Sequence, residues 1–176
     1  IIDYATYEDT REEFRKRVLA VKEPRRVHVG EHVTLLFETA ETVRYQVQEM
    51  IRIERMVRES DIQHELETYN ELLGERGELG CTMLIEIDDP AERDVKLREW
   101  LSLPQHIHAE LEGGERVRAT FDPRQVGEDR VSSVQFLKFD TRGRTPIAFV
   151  IDHPRLEVRA ALTERQRAAL SHDLHQ

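Results

Sequence analysis

The sequence predicts an α+β fold: a single compact domain with a mainly antiparallel sheet, a helical hairpin and flanking helices. The first observation is the length, since 176 residues can bury one sizeable core. The second is the order of the patterns, because β-hairpins are interrupted by helices and do not alternate as βαβ units. The third is a β-rich C-terminal half, about residues 105–162, that follows a helical hairpin at about residues 39–74. We therefore assign residues 1–176 to one domain.

The N-terminal part begins with a helix and a β-hairpin. Apolar residues recur at helical spacing over residues 7–21, and Pro24 ends the helix because proline cannot continue it. Two short strands, residues 27–29 and 33–37, flank Gly30, which suits a tight turn. The second strand is apolar enough to be central in a sheet.

Two helices joined by a turn follow the β-hairpin. They cover residues 39–58 and 61–73, and Ser60 or Asp61 is suited to cap the second helix. Antiparallel packing of the two would form the helical hairpin.

The rest of the chain is predicted to contain more strands than helices. Residues 79–87 predict a strand, and Pro90 behind an acidic pair predicts the start of a helix that reaches about residue 101. The last helix begins at a Thr163 cap, and residues 122–129 are expected to be the most flexible stretch because of their proline, glycine and charges. Further strands are predicted at residues 107–111, 117–121, 131–139, 147–151 and 156–162, with a turn at Gly113-Gly114.

Glu54 occupies an unusual position in the first helix of the hairpin. A carboxylate on an apolar stripe should have a dedicated partner or a changed pKa, because burial of an unpaired charge is costly. Glu54 could pair with Arg58 one turn on, with another arginine, or with a tyrosine hydroxyl, and so fix how the helix packs. The stripe has spacings of four, three, four and three and consists of Val43, Val47, Met50, Glu54 and Val57.

Composition excludes several classes of protein. The formal charge of −9 disfavours binding to nucleic acid or to an anionic membrane. The single cysteine, Cys81, excludes an intramolecular disulfide and any all-thiolate metal site in one chain, and it reads as an inert buried residue of a strand. With no apolar run long enough to span a bilayer and no signal-peptide pattern, we expect a cytoplasmic location.

The hairpin also offers a candidate metal site for iron or manganese. Di-iron and di-manganese carboxylate proteins place inward-facing glutamates and Glu-x-x-His pairs on bundled helices, and Glu54 opposite Glu65 or His64 partly matches that layout. Glu54 and Glu65 together with His32 or His64 would supply the oxygen and nitrogen ligands, although the hairpin contains no Glu-x-x-His. A weaker alternative is His106 with His108, which share one face of a strand but lack a third ligand in sequence.

Several segments of the chain together carry a family resemblance. They are residues 25–27, 32–38, 45–50, 54–55, 62–70, 82–87, 133–137 and 152–154. These segments resemble a bacterial family known only as domain of unknown function 3501. The resemblance extends over most of the chain, and the Glu54 hairpin is its most distinctive part. Genes of this family tend to lie beside those of rubrerythrin and of an iron–sulfur protein similar to heterodisulfide reductase subunits.

The resemblance therefore implies a role near peroxide or electron-transfer chemistry, and two hypotheses remain open. In the first, the protein is an accessory or binding protein of a bacterial redox or oxidative-stress system. Polar groups of the hairpin, Glu54, Tyr69 and Asn70, would then hold a small ligand or a rubrerythrin-like or iron–sulfur partner. In the second, it is an iron- or manganese-dependent enzyme with its site at the hairpin. The sequence leaves a homodimer open.

Overall fold

The computed structural model describes residues 1–176 as five α-helices and eight β-strands. Their bounds agree with the elements expected from the sequence to within a few residues at most ends. The helices are α1 (Tyr4–Lys22), α2 (Ala40–Glu54), α3 (Glu59–Asn70), α4 (Pro90–Glu99) and α5 (Glu164–Leu174), and the strands are β1 (Arg26–Val29), β2 (Val33–Phe37), β3 (Glu78–Ile85), β4 (Ile107–Glu110), β5 (Arg116–Arg118), β6 (Val134–Asp140), β7 (Ala148–His153) and β8 (Leu156–Ala161).

The strands form two four-stranded antiparallel sheets, which confirms the predicted α+β class. Sheet A has the order β1-β2-β3-β6 and sheet B the order β5-β4-β7-β8. The central position predicted for the strand now labelled β2 is confirmed, since all five of its residues are buried. The Gly113-Gly114 turn between β4 and β5 is also confirmed, and both glycines have φ of 89°, a value that disfavours a side chain.

The main core lies between the inner faces of the two sheets. Phe37 and Phe139 of sheet A meet Phe149 of sheet B, with ring centroids 4.9 to 6.3 Å apart. Leu97 of α4 and Leu170 of α5 join the same cluster of buried residues. Alternation along each strand leaves the other face of sheet A to the helical hairpin and to solvent.

The helical hairpin has a second, smaller core of its own. Val43, Val47 and Ile51 of α2 are fully buried, and α1 packs along α2 as a third helix that the sequence did not place there. Half-buried residues of α1, of α3 and of the segments around α3 complete this core, and they are Tyr4, Met56, Ile62, Leu66, Tyr69, Leu72 and Leu73.

The caps of the hairpin helices agree with the sequence at one end and differ at another. Thr39 and Thr42 form a reciprocal capping box at the start of α2. The predicted cap of α3 at Ser60 or Asp61 is wrong, because both residues already lie within its first turn. The Arg58 carbonyl accepts hydrogen bonds from the Asp61 and Ile62 amides at 3.1 and 3.2 Å, so the helix begins earlier.

None of the five helices combines the length and the apolar character that a membrane span requires.

Candidate functional site

The largest cleft lies between the end of α3 and the outer face of β6. It exists because the chain after α3 approaches sheet A closely at Gly80 of β3. A Cβ atom at this position would lie 2.0 Å from the Leu72 carbonyl oxygen, so only glycine allows the approach. Leu79 and Cys81 point into the main core, and position 80 therefore faces the helices.

Three aromatic side chains dominate this cleft, which encloses about 540 Å³. Tyr69 lies on the α3 side, Phe136 projects from β6, and Phe121 lies on the segment that runs beside β6. Phe136 remains 38% exposed, although it is a large apolar residue in the middle of a strand. We call this surface the aromatic cleft and define it by Tyr69, Leu72, Phe121, Gln125, Phe136 and Lys138.

Some charged groups around the aromatic cleft have a counter-ion and others have none. The Lys138 ammonium belongs to no ion pair, whereas the Asp122 carboxylate is paired with Arg124 at 2.6 Å. That side-chain contact, together with the Arg124 amide, lowers the pKa of Asp122, so this carboxylate is charged and already has its counter-ion. Glu71 also lies on the rim. The cleft therefore offers an apolar surface with one unpaired cation and one unpaired carboxylate at its edges.

Of the hairpin residues predicted to bind a ligand or partner, the structure places one in this cleft. Tyr69 contributes its ring, half-buried between the small helical core and the cleft. Asn70 is the last residue of α3 and is exposed outside the cleft. Phe121 and Phe136 were not predicted, because each follows an ordinary strand pattern and only the tertiary structure brings them beside Tyr69.

Glu54 is not the interior carboxylate that its spacing predicted. It is the exposed last residue of α2, and Arg55 ends the helix there in the left-handed conformation with φ of 50°. The stripe therefore stops before Glu54, and Val57 beyond the helix is 77% exposed. The buried stripe consists of Val43, Val47 and Ile51.

Glu49 is the carboxylate that packs inside the helical layer. Tyr7, which is 1% exposed, donates its hydroxyl hydrogen to Glu49 at 2.7 Å, and Arg11 donates from Nε and Nη2 at 2.9 and 2.8 Å. Hydrogen bonding from Arg11 is the main cause that lowers the pKa of Glu49. Burial, followed by the hydrogen bond to Glu49, raises the pKa of Tyr7. This fully paired group fixes α1 against α2 and leaves no free acid for catalysis.

The residues predicted as metal ligands do not converge on one point. Glu54, His64 and Glu65 line an open cleft at the α2–α3 turn. His32 lies elsewhere, where its Nδ1 is 3.2 Å from the Glu86 carbonyl oxygen and its ring is 6.3 Å from the ring of Trp100. Nowhere in the chain are three His, Cys, Asp or Glu side chains placed to hold one metal ion. The structure therefore does not bring the predicted ligand set together, because His32, in the turn before β2, and the hairpin residues line separate clefts.

A second polar cluster lies where β4 meets β7. His106 Nδ1 and His108 Nε2 lie 3.4 and 3.2 Å from the same Asp152 oxygen. The two side chains therefore reach one carboxylate, although His106 ends the short 3₁₀-helix before β4 and only His108 belongs to the strand. Burial, with the neighbouring His106 as a smaller cause, lowers the pKa of His153.

The polarity of the His153 ring decides what this cluster can do. The Arg155 amide donates to His153 Nδ1 at 3.0 Å, so the neutral ring carries its proton on Nε2. Nε2 then donates to the Ser102 hydroxyl oxygen at 3.1 Å. A base that activates serine needs the opposite polarity, so the pair holds the turn and does not form a nucleophile. Cys81 is likewise inert, because complete burial raises the pKa of its thiol.

Comparisons with known proteins found a similar crystal structure and a matching family. A crystal structure of a novel protein of unknown function from Burkholderia pseudomallei K96243 is similar, with a TM-score of 0.88 and 29% identity, and the match covers 99% of this chain and 96% of that chain. No curated protein matches the chain. The model of the family called protein of unknown function (DUF3501) matches residues 1–174. The chain therefore belongs to the DUF3501 family, as the resemblance in its sequence predicted.

Proposed function

We propose that this protein is an accessory binding protein and that the aromatic cleft is the surface on which its partner docks. The observation that carries the proposal is the exposure of Phe136 beside Tyr69 and Phe121. Aromatic surface left open to water and rimmed by polar groups is typical of a recognition site, since an isolated chain gains nothing from exposing it. Val134, two residues before Phe136 on the same face of β6, is 43% exposed and extends this surface.

The partner belongs to a bacterial redox or oxidative-stress system in this proposal. The support for this choice of partner is the sequence resemblance, which implies that the partner is a rubrerythrin-like protein or an iron–sulfur protein. The net charge of −9 favours a partner with a basic rim around its docking surface, because opposite charges speed and orient encounter. The apolar floor of the cleft would then receive an apolar side chain of the partner.

An iron- or manganese-dependent reaction at the hairpin has weaker support. Glu54, His64 and Glu65 share a cleft but lack the geometry of a ligand set, and His32 lies at another cleft. The donor residues thus do not fit the metal that the sequence suggested, and we derive no chemical step through it.

Binding measurements on Phe136→Ala would test the proposal. The wild-type chain would be titrated calorimetrically with two purified proteins of the source organism, a rubrerythrin-like protein and an iron–sulfur protein similar to heterodisulfide reductase subunits. We expect one of them to bind and Phe136→Ala to weaken that binding by about tenfold, which corresponds to about 1.4 kcal/mol. Truncation removes the ring that forms the floor of the cleft.

Val95→Ala is the matched control. Val95 is an exposed apolar residue of α4, 53% exposed, that does not line the aromatic cleft. Its truncation should leave binding unchanged, and both variants should melt near the wild-type temperature because neither side chain belongs to a buried core. Equal binding by Phe136→Ala and wild type, or binding of neither partner, would overturn the proposal.

A further inference from the structure

The outer edge of β6 is where sheet A ends, and its backbone groups are satisfied in an unusual way. Pairing begins as an antiparallel ladder, because the Lys138 amide donates to the Thr120 carbonyl at 2.9 Å and the Thr120 amide donates to the Lys138 carbonyl at 2.7 Å. A second step of the ladder would place another peptide group opposite Phe136. No strand continues there, since residues 123–125 form a short 3₁₀-helix.

The side chain of Gln125 occupies the place of that missing peptide group. Its carbonyl oxygen accepts from the Phe136 amide at 2.8 Å, and its amide nitrogen donates to the Phe136 carbonyl at 3.2 Å. One step further, the Val134 amide donates to the Ser132 hydroxyl at 3.3 Å. Main-chain pairing at Lys138 thus gives way to side-chain substitutes at the next two edge positions.

Phe121 packs against the main core, but the segment after it, which presents Gln125, is held mainly by contacts within itself. Asp122 caps the 3₁₀-helix by accepting from the Arg124 amide at 2.9 Å, and its carboxylate pairs with the Arg124 guanidinium. These contacts would survive if the segment moved away from β6. A strand of another chain could then replace both Gln125 bonds one for one, because a carboxamide has the same donor and acceptor as a peptide group.

We propose that residues 122–126 form a displaceable cover over β6 and that an extended segment of the partner adds to β6 as a further antiparallel strand. This inference rests on the proposed binding function and specifies its mode, since the cover is also one wall of the aromatic cleft. Phe136 and Val134 are exposed on one face at a spacing of two, so the added strand carries apolar residues at positions i and i+2 opposite them.

A short synthetic peptide provides the test. The probe is a capped peptide of sequence Lys-Val-Thr-Val-Lys, whose two valines have the required spacing and whose lysines suit the acidic chain. The control peptide has the same side chains with N-methyl groups on the two valines, which remove backbone donors and leave the apolar groups in place. Affinities would be measured by NMR titration of the full chain, with the Phe136 amide signal followed directly.

Gln125→Ala is the informative variant and Gln46→Ala its control. Gln46 is an exposed residue of α2 far from the cover in the fold, whereas loss of the Gln125 amide removes the competitor for the edge. We expect Gln125→Ala to bind the probe about tenfold more tightly than wild type, because the cover lies over β6 in a smaller fraction of the free variant. In the free variant the Phe136 amide should exchange faster, and the bound peptide should protect it.

Three results would overturn strand addition. If both peptides bind equally and Phe136→Ala weakens both, the cleft docks side chains without strand addition, and the proposed function stands without this inference. If Gln125→Ala binds the probe no tighter than Gln46→Ala, the cover does not compete. If Gln125→Ala only self-associates with rising concentration, the Gln125 amide serves to prevent edge-to-edge aggregation.

Discussion

Glu49 fixes the geometry of the helical layer. Its carboxylate accepts from Tyr7 and Arg11 on α1, and the phenol is almost completely buried. Arg52 and Glu8 form a second, more exposed pair between the same two helices. Because a buried hydroxyl left without its partner loses both water and protein hydrogen bonds, the stability of the layer depends chiefly on the inner pair.

We expect Glu49→Ala to lower the free energy of unfolding by about 2 kcal/mol, the cost of leaving a buried hydroxyl and a guanidinium unpaired. Glu54→Ala is the matched control on the same helix and should cost less than about 0.5 kcal/mol, as is typical of exposed positions. Urea denaturation of both variants measures the difference. A larger loss for Glu54→Ala would restore the interior role that its spacing suggested.

His153 makes the β7–β8 turn sensitive to pH. Burial and His106 lower its folded pKa below the usual value of 6.5, so the unfolded chain binds this proton more readily than the folded chain. Stability contributed by the neutral ring is therefore complete above about pH 6.5 and is lost as the pH falls towards the folded pKa. His106 and Arg155 are the charged neighbours that act on the same ring, and both lower its pKa.

The pH dependence is tested by the melting temperature, measured between about pH 7.5 and pH 5. This range extends on the order of one pH unit to either side of the ordinary histidine pKa. We expect the wild type to lose stability as the pH falls and His153→Gln to show a flatter profile, because glutamine can accept from the Arg155 amide but cannot take up a proton. Parallel profiles for the two proteins would show that His153 is not the titrating group.

At the scale of elements, Gly80 determines how α3 meets sheet A. The Leu72 carbonyl occupies the space where a side chain would project from β3, and the position of Tyr69 in the aromatic cleft follows from this approach. Two packed elements that touch through a glycine cannot accept a methyl group without moving apart.

Gly80→Ala should therefore lower the free energy of unfolding by about 2 kcal/mol or more, and it should displace the end of α3. Amide chemical shifts around Leu72 and Tyr69 would report the displacement, and a thermal melt the loss of stability. Wild-type shifts at both residues would contradict the close approach that builds the cleft.

Local sequence patterns predicted the helices and strands better than they predicted the aromatic cleft. The buried run of β2 and the paired glycines at residues 113–114 each carry their own signal, so the sequence predicts a central strand and a hairpin there. The prediction that Glu54 is buried was wrong because periodicity alone does not show that the helix ends at Arg55. Tyr69 was predicted, but Phe136 and Gln125 were not, since the cleft and the covered edge depend on contacts between distant segments.

At the scale of the whole molecule, the two cores have different roles. The sheets enclose a continuous core with α4 and α5, whereas the helical layer has a small core that sets α3 above β6. The aromatic cleft lies at the junction of these two parts. A surface placed there is held on both sides by packed elements, as a preorganised docking site requires.

Hydrogen exchange of the full chain with and without the proposed redox partner tests the central claim most directly. We expect protection in two segments, residues 68–72 and 134–138, which line the aromatic cleft from α3 and from β6. The exposed face of α4 around Val95 should exchange at the same rate in both states. Protection centred on α4 or on the α2–α3 turn, with these two segments unchanged, would contradict the assignment of the cleft.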